Sequence, residues 1–193
     1  MPAMRRRRWT REEVLALNEQ NPLHSPRYEV VDGELFVTPS PGGLHQAAVG
    51  QMYAALYAYC RAERIGEVFV SPWDMELERG QLVQPDVFVV SLAEAKRVRV
   101  ERPGREAMLT VEVLSPGSER GDRGRKRRLY QRRVDTYWIV SVEHRAVEQW
   151  LRGSRHATLL RDRLEWHPAG AKRAFELSLP EYFAEVYGEY QAR

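Results

Sequence analysis

The chain has little of what would tie it to an oxidising compartment or to a membrane. Its single cysteine, Cys60, has no partner for an internal disulfide, which is typical of a reducing cytosol. No apolar run is long enough to span a bilayer, and no hydrophobic signal segment follows the first residues. We therefore expect a cytoplasmic protein without membrane contact.

A strong overall charge and a cluster of histidines are also missing. The net charge is +3 over 193 residues, and four of the five histidines lie far from one another, so no zinc site is predicted. The apolar fraction of 43% and the charged fraction of 30% are typical of a globular domain. We predict one domain over residues 1–193, in which residues 1–9 form a flexible basic tail.

Positive charge is nevertheless concentrated in one later segment, residues 120–133. Clustered arginines are a plausible phosphate-binding footprint, but an arginine-rich helix face in solvent gives the same pattern. The members are Arg120, Arg123, Arg125, Lys126, Arg127, Arg128, Arg132 and Arg133.

The hydrophobic pattern alternates between helices and strands. It predicts helices over about 10–18, 44–64, 119–133 and from 179, a hairpin over 28–37, strands over 67–70, 74–78, 86–90, 107–114 and 156–160, a hairpin over 136–151, and a loop over 95–105. Asp32-Gly33 is a strong signal for the turn of the first hairpin. The order indicates an α/β fold in which a mixed central sheet is flanked by helices.

Two carboxylates stand inside apolar strands, Asp86 in Gln84-Pro85-Asp86-Val87-Phe88 and Glu112 in Thr110-Val111-Glu112-Val113-Leu114. A carboxylate in such a place is costly unless it is paired, hydrogen-bonded or bound to a metal. If the strands are neighbours, both acids and the Val113 carbonyl can hold one Mg²⁺ ion, which suits work on phosphate. The alternative is that one or both acids lie at strand ends in solvent, since prolines are close to each.

Lys126 follows on the predicted helix. Leu129 and Tyr130 mark the inward face of that helix, and the spacing places Lys126, and Asp122 one turn earlier, on the same side. An inward lysine beside two acids could stabilise charge on a phosphorane or orient a water. The alternative is a lysine whose amine extends to solvent along the core.

Taken in order, these residues resemble the Uma-type putative restriction endonuclease family, a branch of the PD-(D/E)XK nuclease superfamily. The resemblance covers roughly residues 10–151. It is carried by Tyr28-Glu29-Val30-Val31-Asp32-Gly33-Glu34-Leu35, His45 at the start of a long helix, Pro85-Asp86, Glu112-Val113-Leu114-Ser115-Pro116, Asp122 and Lys126 with Tyr130, and Tyr137-Trp138-Ile139-Val140.

The resemblance implies a restriction-endonuclease-like core and DNA cleavage that depends on Mg²⁺ or Mn²⁺. It implies that Asp86 and Glu112 are the catalytic acids. Leu114 stands where the superfamily motif has its lysine, and the resemblance implies that Lys126 replaces that lysine. Glu34, His45 and Asp122 match further polar positions and are expected to support the site.

Two classes of function remain open from the sequence: a metal-dependent DNA endonuclease, and an inactive nucleic-acid-binding or interaction protein on the same fold. A hydrolase of a smaller phosphate ester is a third interpretation. We also expect a homodimer, because double-strand cleavage needs two sites and residues 136–151 are rich in apolar side chains. The alternative is that these side chains form the core.

Overall fold

A mixed six-stranded sheet with helices on both faces forms the centre of the protein. The structure, a computed structural model, describes residues 7–100, 103–115 and 121–189. Its helices are α1 Arg11–Glu19, α2 Gly43–Glu63, α3 Leu92–Val98, α4 Arg127–Arg133 and α5 Leu179–Tyr187. Its strands are β1 Arg27–Val31, β2 Glu34–Thr38, β3 Gly66–Val70, β4 Val87–Ser91, β5 Leu109–Val113, β6 Thr136–Ser141, β7 Ala146–Leu151, β8 Thr158–Leu160, β9 Arg163–Trp166 and β10 Phe175–Ser178. This arrangement confirms the predicted fold class.

The sheet order is β3-β4-β5-β6-β7-β8, in which only β5 and β6 run parallel. Along β6, Trp138 packs into the apolar layer that contains α2 and α5. Its neighbours Tyr137 and Ile139 pack into the opposite layer with Leu129 and Tyr130 of α4. Both faces of the central strands are therefore covered, which explains their continuous apolar sequences.

The N-terminal segment is packed against the first hairpin. Thr10 caps α1 by accepting a hydrogen bond from the Glu13 amide, and the Glu13 carboxylate accepts one from the Thr10 amide. The Trp9 amide donates to Gly33 O at 2.9 Å, and the Trp9 ring packs beside Val14. Residues 7–9 are thus in contact with the fold, in contrast to the predicted tail, while residues 1–6 lie outside the described residues.

Several predicted elements differ from the structure. Residues 74–78 form no strand, since Met75 makes only isolated bridges to Val83 and Gly104. Part of the predicted loop over 95–105 is helix α3, which Ser91 caps through its hydroxyl. The antiparallel pair β9 and β10 was not predicted at all, although it covers one end of the core.

The basic helix is also irregular. Residues 116–120, which include the expected cap Ser118 and Arg120, lie outside the described part of the chain. A π-helical segment, Asp122–Lys126, precedes α4, and Gly124 has non-helical dihedrals (φ −102°, ψ −108°). The predicted continuous helix is therefore broken at Gly124, two residues before Lys126.

The apolar residues of β6 and β7 do not form the surface on which the homodimer prediction rested. Six of the seven, Tyr137, Trp138, Ile139, Val140, Val142 and Val147, are buried within the chain. They are core residues, so that argument for a homodimer is wrong. Among the residues described, no helix is both long and apolar enough to cross a membrane.

Candidate active site

Asp86 and Glu112 lie opposite each other on neighbouring antiparallel strands. Val87 of β4 pairs with Val111 of β5, and one further step in this register places Asp86 opposite Glu112. Side chains that are directly opposite lie on the same face, with Cβ atoms about 5 Å apart. Both residues are buried, with exposures of 3% and 2%. The sheet thus brings the two predicted acids together, away from bulk solvent.

Protein donors hold the Asp86 carboxylate on both oxygens. Arg27 Nη1 lies 2.9 Å from Oδ1, His45 Nε2 lies 3.2 Å from Oδ2, and the Val113 amide donates to Oδ2 at 2.9 Å. Burial raises the pKa of Asp86, but the His45 hydrogen bond, the Arg27 charge and the Val113 amide outweigh it and lower the pKa to about 2. Asp86 is therefore ionised throughout the neutral range.

Glu112 meets two side chains from the basic segment that covers this face of the sheet. The Tyr130 hydroxyl donates to Glu112 Oε1 at 2.9 Å, and Lys126 Nζ lies 3.5 Å from the same oxygen. Burial and the charge of Glu112 raise the pKa of Tyr130 well above its usual value, so Tyr130 stays a hydrogen-bond donor. Lys126 is only 3% exposed, and its amine points to the acids instead of solvent.

A third buried acid, Glu29 of β1, completes the cluster and was missed by the sequence reasoning. Its Oε2 lies 2.6 Å from Lys126 Nζ, and its Oε1 accepts a hydrogen bond from the backbone N–H of Gln84 at 2.8 Å. Glu29 is fully buried. The signal was present, since Glu29 precedes Val30-Val31 in an apolar strand just as Asp86 precedes Val87-Phe88.

The predicted supporting residues separate into those near the acids and those away from them. His45, in the first turn of α2, contacts Asp86 directly. Glu34 lies on the surface of the hairpin, paired with Arg125, and does not reach the cluster. Val113 touches Asp86 through its amide N–H. The side chain of Asp122 lies outside what the structure describes.

Much of the predicted arginine footprint is occupied by acids and rings of the protein itself. Arg123 pairs with Glu148 at 2.7 Å, and Arg133 pairs with Glu78 at 3.0 Å. The Arg127 guanidinium lies 4.6 Å from the centre of the Trp150 ring. These contacts reduce the charge that this segment can offer to an external phosphate.

The donor set fits a divalent cation. Within residues 7–100, 103–115 and 121–189 there is no group of three His, Cys, Asp or Glu side chains arranged to hold a metal, but Mg²⁺ is commonly bound through one or two carboxylates and keeps several waters. Glu29, Asp86 and Glu112 are three buried carboxylates that share the cationic or hydrogen-bonding groups Arg27, His45 and Lys126. Carboxylate oxygens gathered in this way are the ligands that a hard divalent cation prefers.

A cavity reaches one acid of this cluster. Asp86 lines a pocket of about 320 Å³ together with Arg27, His45 and Ser71. Glu29, Glu112 and Lys126 do not line this pocket, so a ligand in it would meet the cluster at Asp86.

The family profile described as putative restriction endonuclease, Uma2, matches residues 11–180. The chain belongs to this family. The match confirms the resemblance read from the motifs. No curated protein matches the chain. Among solved structures, the crystal structure of a putative nuclease belonging to DUF820 from Anabaena variabilis superposes with a TM-score of 0.74. It is 19% identical, and the match covers 92% of this chain and 99% of that one. At this identity the likeness shows a shared fold.

Proposed function

We propose that this protein is a divalent-metal-dependent nuclease that hydrolyses phosphodiester bonds in DNA. The observation that carries the proposal is the convergence of Asp86, Glu112 and Lys126 at one end of β4 and β5, all of them buried. The pair of opposite acids with an amine beside one of them is the arrangement that a PD-(D/E)XK-type site requires. Membership of a restriction endonuclease family supports the same reaction.

Asp86 and Glu112, with the Val113 carbonyl, are the groups that would hold Mg²⁺ or Mn²⁺. When bound, such an ion neutralises charge on the phosphate and makes a water a better nucleophile at neutral pH. The close approach of the buried carboxylates and the pocket that reaches Asp86 support this assignment.

The remaining side chains position these groups. Arg27 and His45 fix the Asp86 carboxylate from two directions, and Tyr130 fixes Glu112. The Lys126 amine provides a positive charge beside Glu112, where it can stabilise the negative charge that develops on the phosphate in the transition state. Glu29 holds that amine at 2.6 Å, so it restricts where Lys126 can place its charge.

A plasmid-nicking assay with added Mg²⁺ or Mn²⁺ tests the proposal. Asp86→Asn and Lys126→Met should each abolish nicking, whereas the control Asp135→Asn, at an exposed ion pair with Arg152, should leave it unchanged. Calorimetric titration of Mn²⁺ should show binding that Asp86→Asn weakens and Lys126→Met retains. DNA binding without nicking under any metal would favour the inactive nucleic-acid-binding protein and reject the enzyme.

A further inference from the structure

A groove beside the candidate site has no role in the chemistry described so far. It lies between α2, the edge strand β3 and α3, and has a volume of about 750 Å³. Its polar and aromatic lining comes from three elements. Tyr53, Tyr57 and Arg61 belong to α2, Arg64 directly follows α2, Glu67 belongs to β3, and Arg99 directly follows α3. We call it the α2–β3 groove.

The α2–β3 groove adjoins the pocket of Asp86 on both its strand side and its helix side. On the strand side, Val70 lines the groove, and the next residue, Ser71, lines the pocket and donates its amide hydrogen bond to Asp86 O at 3.2 Å. On the helix side, Val49 lines the pocket, and Tyr53, one turn later, lines the groove. A strand that leaves Asp86 along α2 therefore enters the groove directly.

The length of this path suits several nucleotides. His45, which contacts Asp86, and Arg61, at the far end of the groove, are sixteen positions apart on the same helix. At a rise of 1.5 Å per residue this separation is about 24 Å. An extended nucleic-acid strand can thus contact both ends at once.

The charge of the groove is positive. Arg61, Arg64 and Arg99 face one acid, Glu67, and that acid is paired with Arg99. Arg61 donates to the Tyr57 hydroxyl at 3.0 Å and, like Arg64, forms no ion pair with the residues that the structure describes. Two guanidinium groups consequently remain available for phosphates, in contrast to the ion-paired arginines around α4.

The groove also presents an aromatic platform. The rings of Tyr53 and Tyr57 stack with their centres 5.6 Å apart and their planes at 24°. Tyr57 is a large aromatic residue and is 43% exposed. Exposed aromatic rings beside arginines are the combination by which proteins bind unpaired bases, because every base has a face that can stack.

We propose that the α2–β3 groove binds a single-stranded segment of DNA that flanks the cleaved bond. Bases of this segment stack on Tyr57, and its phosphates contact Arg61 and Arg64. The occupant is single-stranded because a paired base has no free face for the ring. The inference rests on the proposed nuclease function for the direction of the strand, whereas the binding itself requires no turnover.

A second copy of the chain is the competing occupant, since β3 is an edge strand and Val70 and Leu92 are exposed beside it. Antiparallel pairing of β3 with its copy would bring the arginines of the two grooves close to each other. Like charges in such a position oppose association. The positive groove therefore fits a polyanion better than its own copy.

Binding measurements in the full-length Asp86→Asn background, which is expected not to cleave, test the groove. Fluorescence anisotropy would compare a labelled single-stranded 12-mer, a blunt duplex, and a duplex with a single-stranded overhang. Tyr57→Ala should weaken binding of the single strand and of the overhang by about 5- to 100-fold, as expected for the loss of one stacked base. Binding of the blunt duplex should change less than 2-fold, roughly.

The arginine variants test the phosphate contacts. Arg61→Ala and Arg64→Ala should each reduce the slope of log affinity against log salt by about 0.7, the value for one phosphate contact on a single strand. Matched controls come from outside the groove: Leu159→Ala on β8, the opposite edge of the sheet, and Arg155→Ala, which is exposed and forms no ion pair with described residues. Equal weakening in the groove variants and the controls would overturn the proposal.

Three further outcomes distinguish single-strand binding in the groove from the nuclease proposal and from self-association of the chain. If the wild-type protein never cleaves but Tyr57→Ala still weakens single-strand binding, the nuclease proposal fails and the groove stands. If cleavage occurs and Tyr57→Ala binds like the control, the groove fails alone. A dimer in sedimentation that Val70→Lys dissociates, with single-strand affinity unchanged, would assign the groove to a second copy and reject the proposal.

Discussion

Replacing Glu29 by glutamine tests the buried ion pair that anchors Lys126. The substitution removes one negative charge but keeps the shape of the side chain and an oxygen that can accept a hydrogen bond from the backbone N–H of Gln84. It leaves the Lys126 amine with Glu112, whose Oε1 lies 3.5 Å away. The change therefore isolates the charge of Glu29 from its packing.

The expected loss of stability follows from the burial of the pair. Removing one partner of a buried ion pair typically costs about 3–5 kcal/mol, because the other charge is left without compensation. Glu112 compensates part of the Lys126 charge, so we expect a loss of about 3 kcal/mol, at the lower end of that range. In a chain of this length a loss of about 3 kcal/mol lowers Tm by roughly 6–12 °C. Urea unfolding followed by circular dichroism measures the free energy of unfolding, and calorimetry measures Tm.

Glu34→Gln is the matched control. Glu34 lies on the neighbouring strand of the same hairpin, is 44% exposed at its side chain, and pairs with Arg125. Surface pairs contribute about 1 kcal/mol or less, so Glu34→Gln should cost at most that. A double-mutant cycle of Glu29→Gln with Lys126→Met should give a coupling of about 2 kcal/mol or more. Equal stability of the Glu29 and Glu34 variants, or no coupling, would refute the buried pair.

The same variant has a distinct signature in turnover. If Glu29 only positions the lysine, Glu29→Gln should lower kcat by about 100-fold, comparable to the loss of one electrostatic donor in a transition state. The KM for DNA should change little, because Glu29 does not face the pocket. Glu29→Asp, which restores the charge on a shorter side chain, should recover part of kcat. A variant that changes KM alone would argue against this role.

Three further predictions concern the frame of the site. Asp86 has a pKa of about 2 in the fold against 3.8 for an unperturbed carboxyl, so its ionised form contributes about 2 kcal/mol to the free energy of unfolding. This contribution is present above pH 4 and is lost as the pH falls toward 2. In acid titrations, the difference in unfolding free energy between wild type and Asp86→Asn should therefore shrink over that interval. Tyr130→Phe removes the hydrogen bond to Glu112 and should cost about 1.5–3 kcal/mol in urea unfolding, with no loss expected from the exposed control Tyr57→Phe. Gly66→Ala places a Cβ atom 2.2 Å from Val90 O across the β3–β4 pair and should cost about 1–3 kcal/mol or prevent folding, whereas Gly50→Ala, with open space around it, should not.

Asp86 and Glu112 could be singled out from the sequence because the apolar residues beside them already imply burial, and burying an unpaired carboxylate costs free energy. A carboxylate beside such residues needs a partner when it is buried. In the structure Asp86 and Glu112 are both buried, and both are hydrogen-bonded. The same reasoning applies to Glu29, whereas Glu34 is expected in the site only from the family resemblance. The structure distinguishes them, since Glu29 begins the buried run 29–31 whereas Glu34 is the exposed first residue of β2.

What the sequence did not reveal depends on contacts between distant segments. The break before α4 is different, because it lies at Gly124, and the low helix propensity of glycine is a local signal for it. Residues 92–98 are helical because Ser91 caps them and Ala95 and Val98 pack inward, signals that the many charged residues obscured. The pair β9–β10 is short, and each strand is stable only with the other and with the core beside it.

The position of Lys126 and the presence of the third acid, Glu29, are connected through the buried contact between them. A lysine at position 114 would extend from the same strand as Glu112, two residues further on the same face. Here Leu114 packs with the apolar layer instead, and the amine comes from the segment that covers that layer. This amine is buried, and Glu112, which also accepts the Tyr130 hydroxyl and lies 3.5 Å from Lys126 Nζ, compensates only part of its charge. Glu29 supplies a second and closer carboxylate from β1, at 2.6 Å.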